Sequence, residues 1–117
     1  MTELGTRHNQ GKLRWTLIDF AALKPMVQVL MHGEGVYGTH NWKKGFKATD
    51  IIDSLLRHIY AVLGGELIDP DSKLPHVGHI LANAMFLSYM LLFRPDMNNL
   101  PKNEDGNDST PTAQPDR

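Results

Sequence analysis

The sequence predicts an all-α fold: a small bundle of about three main helices, completed by homo-oligomerisation and followed by a disordered C-terminal tail. Three observations predict it. Apolar residues recur at helical spacing over residues 51–63. No segment sustains the period-2 alternation of a strand between turn signals. Glycine and proline cluster where helices would start and stop. With 117 residues, the chain holds one small domain. Residues 1–11 read as a flexible N-terminus and residues 12–95 as the folded domain. Residues 96–117, ending in NNLPKNEDGNDSTPTAQPDR, bury too little apolar surface to offset their ordering entropy and read as disordered.

The first helix is expected from about Phe20 to His32, with Asp19 as N-cap, an early kink at Pro25, and Gly33 and Gly35 as the stop. The second runs from about Asp50 to Leu63, capped by Thr49 and ended by Gly64-Gly65. Its apolar face holds Ile51, Ile52, Leu55, Leu56, Ile59, Val62 and Leu63; Asp50, Asp53, Ser54 and Arg57 lie opposite, with His58 at the boundary. The third runs from Pro75, in the favoured first helical position, to about Phe93, with Pro95 beyond. From Ile80 to Phe93 this helix has hardly any polar face, so it must be covered all round. Two other short helices cannot do that, and a second copy of the chain is expected to.

A formal net charge of −1 and a pI near 6.6 argue against the coating of a nucleic-acid polymer or an anionic membrane. A nucleotide would have to be held locally, by a few basic groups or a metal ion. Absence of cysteine excludes disulfides and thiolate zinc sites and fits a reducing cytoplasm. Residues 1–9 lack the apolar stretch of a signal peptide, and the run from Ile80 to Phe93 is shorter than the roughly 20 residues of a bilayer span. A soluble, cytoplasmic protein without a membrane partner is the expectation.

His76, His79 and Asn83 sit at i, i+3 and i+7 and share one narrow arc of the third helix. The loop GGELIDPDSKLPH places Glu66, Asp69, Asp71 and Ser72 just before that helix start, and His58 ends the second helix nearby. Helix N-termini favour anions, while carboxylates with imidazoles suit a divalent cation that could carry phosphates. Asp50-x-x-Asp53 and Glu66-x-x-Asp69 form carboxylate pairs of the kind helical bundles use for magnesium. Plainer readings stand beside these: a hydrogen-bonded polar cluster, an Asp53–Arg57 ion pair, and a loop conformation for Glu66 and Asp69 after two glycines. Two basic-aromatic segments remain, Lys12 and Arg14 beside Trp15, and Tyr37-Gly-Thr-His-Asn41-Trp42-Lys43-Lys44. Bases stack on aromatics, lysine and arginine pair with phosphate, and asparagine reads a base edge. Trp15 and Trp42 as core anchors and the lysines as solvated surface are the ordinary alternatives.

GKLRWTLIDFAAL, YGTHNWKKGF and SLLRHIYAVLGGELIDPDSKLPHVGHILANAMFL resemble the small phage-borne dATP/dGTP diphosphohydrolase family, grouped with the MazG-like all-α nucleoside triphosphate pyrophosphohydrolases. The resemblance covers about residues 10–93 and is most specific in RH, GE, D and S followed by PH-x-x-H-x-x-x-N. It implies hydrolysis of a (deoxy)nucleoside triphosphate to monophosphate and pyrophosphate on a helical oligomer that depends on Mg²⁺ or Mn²⁺. The matching residues are Arg57, His58, Glu66, Asp69, Ser72, His76, His79 and Asn83, with Tyr37, Asn41 and Trp42 in a YG-x-x-NW segment. On this reading His58, Glu66, Asp69 and His76 are catalytic, with His58 or His76 as general base, and Asp53, Glu66 and Asp69 hold the metal. Lys12, Arg14, Tyr37, Asn41, Trp42, Lys43, Arg57, His79 and Asn83 bind the nucleotide. Two departures stand out: Lys73 replaces a glycine in the family's E-S-G-L-P-H, and Asp50-x-x-Asp53 replaces E-x-x-E. The alternatives are a non-catalytic nucleotide-binding protein, a phage sponge that sequesters a host immune signal, and a structural helical oligomer with no small ligand.

Overall fold

The structure, a computed structural model, describes residues 2–103. It is helical, with α1 (Lys24–Tyr37) joined to α2 (Ala48–Leu63) through a 3-10 turn and α2 joined to α3 (His76–Phe93) by a loop over 64–75. Among the described residues the sole β feature is an isolated bridge between Ile68 and Pro75.

Each helix departs from its expected limits for a local reason. Asp19 does cap: its carboxylate accepts from the N–H of Ala21 and Ala22, opening the 3-10 turn Phe20–Leu23 that leads into α1. Pro25 lies in the first turn of α1, where its missing N–H interrupts no helical bond. Gly33 and Gly35 do not stop the helix, which runs on to Gly38. Only Gly38 takes the positive φ, 93°, that turns the chain out of a helix, and its N–H still reaches the Glu34 carbonyl at 2.9 Å. α2 starts earlier than expected and Thr49 lies inside its first turn. A side chain 50 residues away caps instead: Asn99 Oδ1 accepts from the Thr49 N–H at 3.0 Å, and its amide donates to Thr49 Oγ1 at 2.8 Å. The C-terminus follows the expected pattern, with Gly65 at φ 92° and its N–H on the Val62 carbonyl. Pro75 is the residue before α3, held extended at ψ 137° by its bridge to Ile68.

α3 packs against both α1 and α2. Gly78 sets how closely α1 can approach: a Cβ there would lie 2.4 Å from the Pro25 carbonyl oxygen and 2.9 Å from Val29 Cγ2. The buried apolar set is small, Val29, Ala48, Ile51, Ala82 and Met90. Large apolar side chains on the outer face of α2 stay exposed, including Leu56, Tyr60 and Leu63. α3 has 18 residues and a mean hydropathy of 1.4, which in length and composition would cross a membrane. Its contacts with α1 and α2, and the hydrogen-bonded His76, His79 and Asn83 in its first turns, are those of a bundle's central helix.

The expected tail begins too early in the sequence reading. Pro95–Met97 forms a 3-10 turn, and residues 98–100 fold back onto the start of α2 through Asn99. Residues 104–117 lie outside the described part of the chain.

Candidate functional site

The Gly64-Gly65 turn reverses the chain so that residues 66–76 close a loop across the start of α3. Two backbone bonds fix it: the Asp69 N–H reaches the Leu74 carbonyl, and the His76 N–H reaches the Leu67 carbonyl, each at 2.9 Å. Inside the loop, Asp69 organises the turn, accepting from the N–H groups of Asp71 and Ser72 and from Ser72 Oγ at 2.9 Å. Burial alone would raise the Asp69 carboxyl, but these hydrogen bonds, with His79 nearby, hold it below the usual carboxylate range.

Two clusters result. In the first, Ser72 Oγ donates to Asp69 and lies 2.7 Å from His79 Nε2, which is also 3.3 Å from Asp69 Oδ2. In the second, Glu66 Oε1 lies 2.7 Å from His76 Nε2, and His76 Nδ1 lies 2.8 Å from His58 Nδ1. The rings of His58 and His79 join the clusters, stacked at 4.5 Å and 4°.

Hydrogen-bond roles in the second cluster follow from valence. A carboxylate only accepts, so His76 Nε2 carries the proton. Between the two Nδ1 atoms one donates and the other accepts, as the tautomers dictate. His58 Nε2 makes no hydrogen bond to protein among the described residues. His76 is buried, at 4% exposure, with both ring nitrogens engaged, so it is not available as a base. Burial, then the neighbouring His79 and His76, push the His58 imidazole below its ordinary 6.5. Burial also lowers His79, against the opposing pull of Asp69.

Beside this cluster, between α1 and α3, runs a cleft of about 1010 Å³. Ser54, Asp69, Asp71, Ser72 and His79 line its polar end. Tyr37, Asn41, Trp42 and Lys43 line the other, on the end of α1 and the 3-10 turn Asn41–Lys44. Trp42 is an anchor rather than a free platform: its ring stacks on Phe86 at 5.1 Å and meets Tyr89 edge-on at 4.9 Å. Tyr37 has the open ring, 69% exposed.

A family model described as dATP/dGTP diphosphohydrolase, N-terminal, matches residues 2–100. The chain belongs to that family. A dATP/dGTP diphosphohydrolase of Salmonella phage PMBT28 is 32% identical over 91 residues, which are 78% of this chain and 31% of that relative. The chain thus spans under a third of the relative it matches. No solved structure matches.

Lys73 is the strained residue of the loop 66–76. Its backbone takes φ 64°, the left-handed conformation a glycine adopts freely, and its N–H closes onto the Asp69 carbonyl at 2.8 Å. The loop keeps its shape with local strain, and Ser72 and Asp69 stay in place.

Several expected residues are not brought together. Asp53 is exposed on α2, and among the described residues no three His, Asp or Glu side chains converge at metal-ligating spacing, so Asp53, Glu66 and Asp69 form no common set. The Asp50–Asp53 pair stays on the surface, and Arg57 is exposed without an ion pair to Asp53. Lys12 and Arg14 lie on the exposed N-terminal segment and do not line the cleft. Asn83 turns its amide to the His79 carbonyl at 2.8 Å and to Ser54 Oγ, a structural role. His32 and Ser54 were not foreseen, yet both line the cleft, and the charge of His32 acts on His79. Neither carries a local motif; each is found only by following which helix faces which.

Proposed function

We propose that the cleft binds a (deoxy)nucleoside triphosphate and that the adjoining histidine cluster hydrolyses it to monophosphate and pyrophosphate. The observation that carries this reading is the cleft itself, lined by Tyr37, Asn41 and Trp42 and by Asp69, Ser72 and His79, with the ring of His58 stacked on that of His79. The base and sugar lie against Tyr37 and Asn41, and the phosphates extend toward the loop 66–76.

Charge in the cleft sets the form of the substrate. Lys43 is the sole fixed cation in its lining, against Glu34, Asp69 and Asp71. A bare triphosphate would be repelled, so the substrate is the Mg²⁺ or Mn²⁺ chelate, an ion that binds through one or two carboxylates plus phosphate oxygens rather than in an all-protein cage. Such a cation neutralises phosphate charge when bound. Within the chain, His58 Nε2 takes a proton from water as the water oxygen bonds to the α-phosphorus; the bond from that phosphorus to the bridging oxygen breaks, and pyrophosphate leaves. His58 is the catalytic residue in this scheme. His76 and Glu66 are positioning residues: they fix the His58 tautomer and stabilise the imidazolium that forms. The exposed apolar face of α2, with Leu56, Tyr60 and Leu63, is covered by a second copy of the chain.

A panel of nucleotides incubated with the folded protein and Mg²⁺ or Mn²⁺, resolved by chromatography, tests the reading. Expected products are a monophosphate and pyrophosphate, with dATP and dGTP first among substrates after the relative's name. Intact nucleotide recovered at stoichiometric binding would reassign the cleft to capture without cleavage, the sponge role. Absence of both binding and turnover would leave the structural-oligomer reading.

A further inference from the structure

The turn that carries the cleft's aromatic wall is held from a distance. Its approach contains Gly38 at φ 93° and His40 at φ 55°, and its exit is Gly45 at φ 114°. The neighbouring positive-φ residues leave it poorly determined by its own sequence. Within the 3-10 turn Asn41–Lys44, the last carbonyls have no helical partner. Arg94, at the end of α3, supplies one. Its Nη1 donates to the carbonyls of Lys43 and Lys44 at 3.1 and 3.3 Å, across 50 residues of sequence. The other edge of the same guanidinium is locked in a two-pronged pair with Asp96: Nε to Oδ1 at 3.0 Å and Nη2 to Oδ2 at 2.7 Å. Gly45 leaves room for this arrangement, since a Cβ there would lie 3.1 Å from Arg94 Nη2 and 2.9 Å from Met97 Sδ.

We infer that Arg94, oriented by Asp96, is a positioning residue that clamps the Asn41–Lys44 turn and thereby sets nucleotide affinity without taking part in the chemistry. The inference rests on the cleft being the nucleotide site, as proposed above. A lysine would keep the charge but not the planar fork that grips two carbonyls and a carboxylate at once. Of the imidazole cluster His79 lines the cleft, and neither it, His58 nor His76 makes a hydrogen bond to Arg94 or Asp96. Loss of the clamp therefore loosens the binding wall and leaves the base intact.

The experiment uses Arg94→Ala, Arg94→Lys and Asp96→Ala in a Trp15→Phe background, which makes Trp42 the sole indole of the chain's two. Acrylamide quenching of Trp42 reads the turn directly, and steady-state kinetics read its consequence. Expected are greater quenching in all three variants and a KM raised about tenfold in Arg94→Ala, with kcat kept within about twofold. A purely structural role would lower kcat and thermal stability together and leave KM alone; that result, or unchanged quenching, overturns the inference. Should the parent protein turn over no nucleotide, the catalytic reading fails, and the quenching and the nucleotide-binding constant still decide whether the clamp exists. Arg94→Lys and Asp96→Ala keep the test open if Arg94→Ala does not fold.

Discussion

The two ends of the cleft are built by opposite means. At the polar end, Asp69, Ser72 and His79 come from one loop and the helix turn that follows, and every hydrogen bond among them spans seven residues or fewer. At the aromatic end, Trp42 rests on Phe86 and Tyr89, and its turn is fixed by Arg94 about 50 residues on. One wall is assembled by chain proximity, the other by the packing of α3. A local wall tolerates changes elsewhere in the bundle; a wall fixed from a distance responds to anything that moves α3.

The largest separation between the two walls is expected in kinetics. His58→Ala should lower kcat by about 100-fold or more, the usual worth of a general base, whereas Trp42→Ala should act mainly on KM. A pair of variants with the same kcat-to-KM pattern would erase the distinction. Next in size is Gly78→Ala. The added methyl meets the Pro25 carbonyl at 2.4 Å, so α1 must move away from α3. Despite the helix propensity alanine gains, a net loss of about 1–3 kcal/mol is expected in urea unfolding. The same variant should raise KM more than it lowers kcat, because α1 and its Tyr37 form the binding wall. An unchanged unfolding midpoint would mean the helices sit farther apart than described.

Acidification should act on the polar wall. Burial lowers the folded-state values of His58 and His79 below 6.5. Between those lowered values and 6.5 the unfolded chain therefore binds more protons than the folded one. Stability from these groups is fully present above 6.5 and is lost as pH falls through the window below it. Urea midpoints should drop from pH 7.5 to 5.5, and the acid limb of kcat should fall below the ordinary imidazole range. A flat or rising midpoint would contradict the buried, neutral state of the pair. The smallest effect is expected at Lys73. Glycine there relieves a left-handed lysine and should stabilise the fold by up to about 1 kcal/mol, less the greater unfolded-state entropy of glycine, with kcat unchanged. A clear loss of stability in thermal unfolding would show that the lysine side chain contributes more than its backbone strain removes.

How far the sequence could be read follows the same division. The periodicity of residues 51–63 and the glycines after Leu63 were enough to place α2 and its reversal, and the spacing of His76, His79 and Asn83 was enough to put them on one arc. Asp53, Glu66 and Asp69 share a motif spacing but do not converge among the described residues, because spacing does not say which face of α2 turns toward the loop. Gly33 and Gly35 misled because glycine permits a helix to end without forcing it to; positive φ at Gly38 does the forcing. Thr49 does not cap α2 because its partner, Asn99, lies 50 residues on in a polar segment that carries no local signal of the contact.

By itself, then, the sequence determined the helical class, the family, and the polar loop whose residues meet because the chain between them is short. Tertiary structure alone decided which of those polar groups face one another, which imidazole nitrogen lacks a protein partner, and where the aromatic wall stands. The physical reason is range: turn chemistry and helical period act over a few residues, while the Arg94 clamp and the Gly78 contact exist only once α3 has packed against the rest of the bundle.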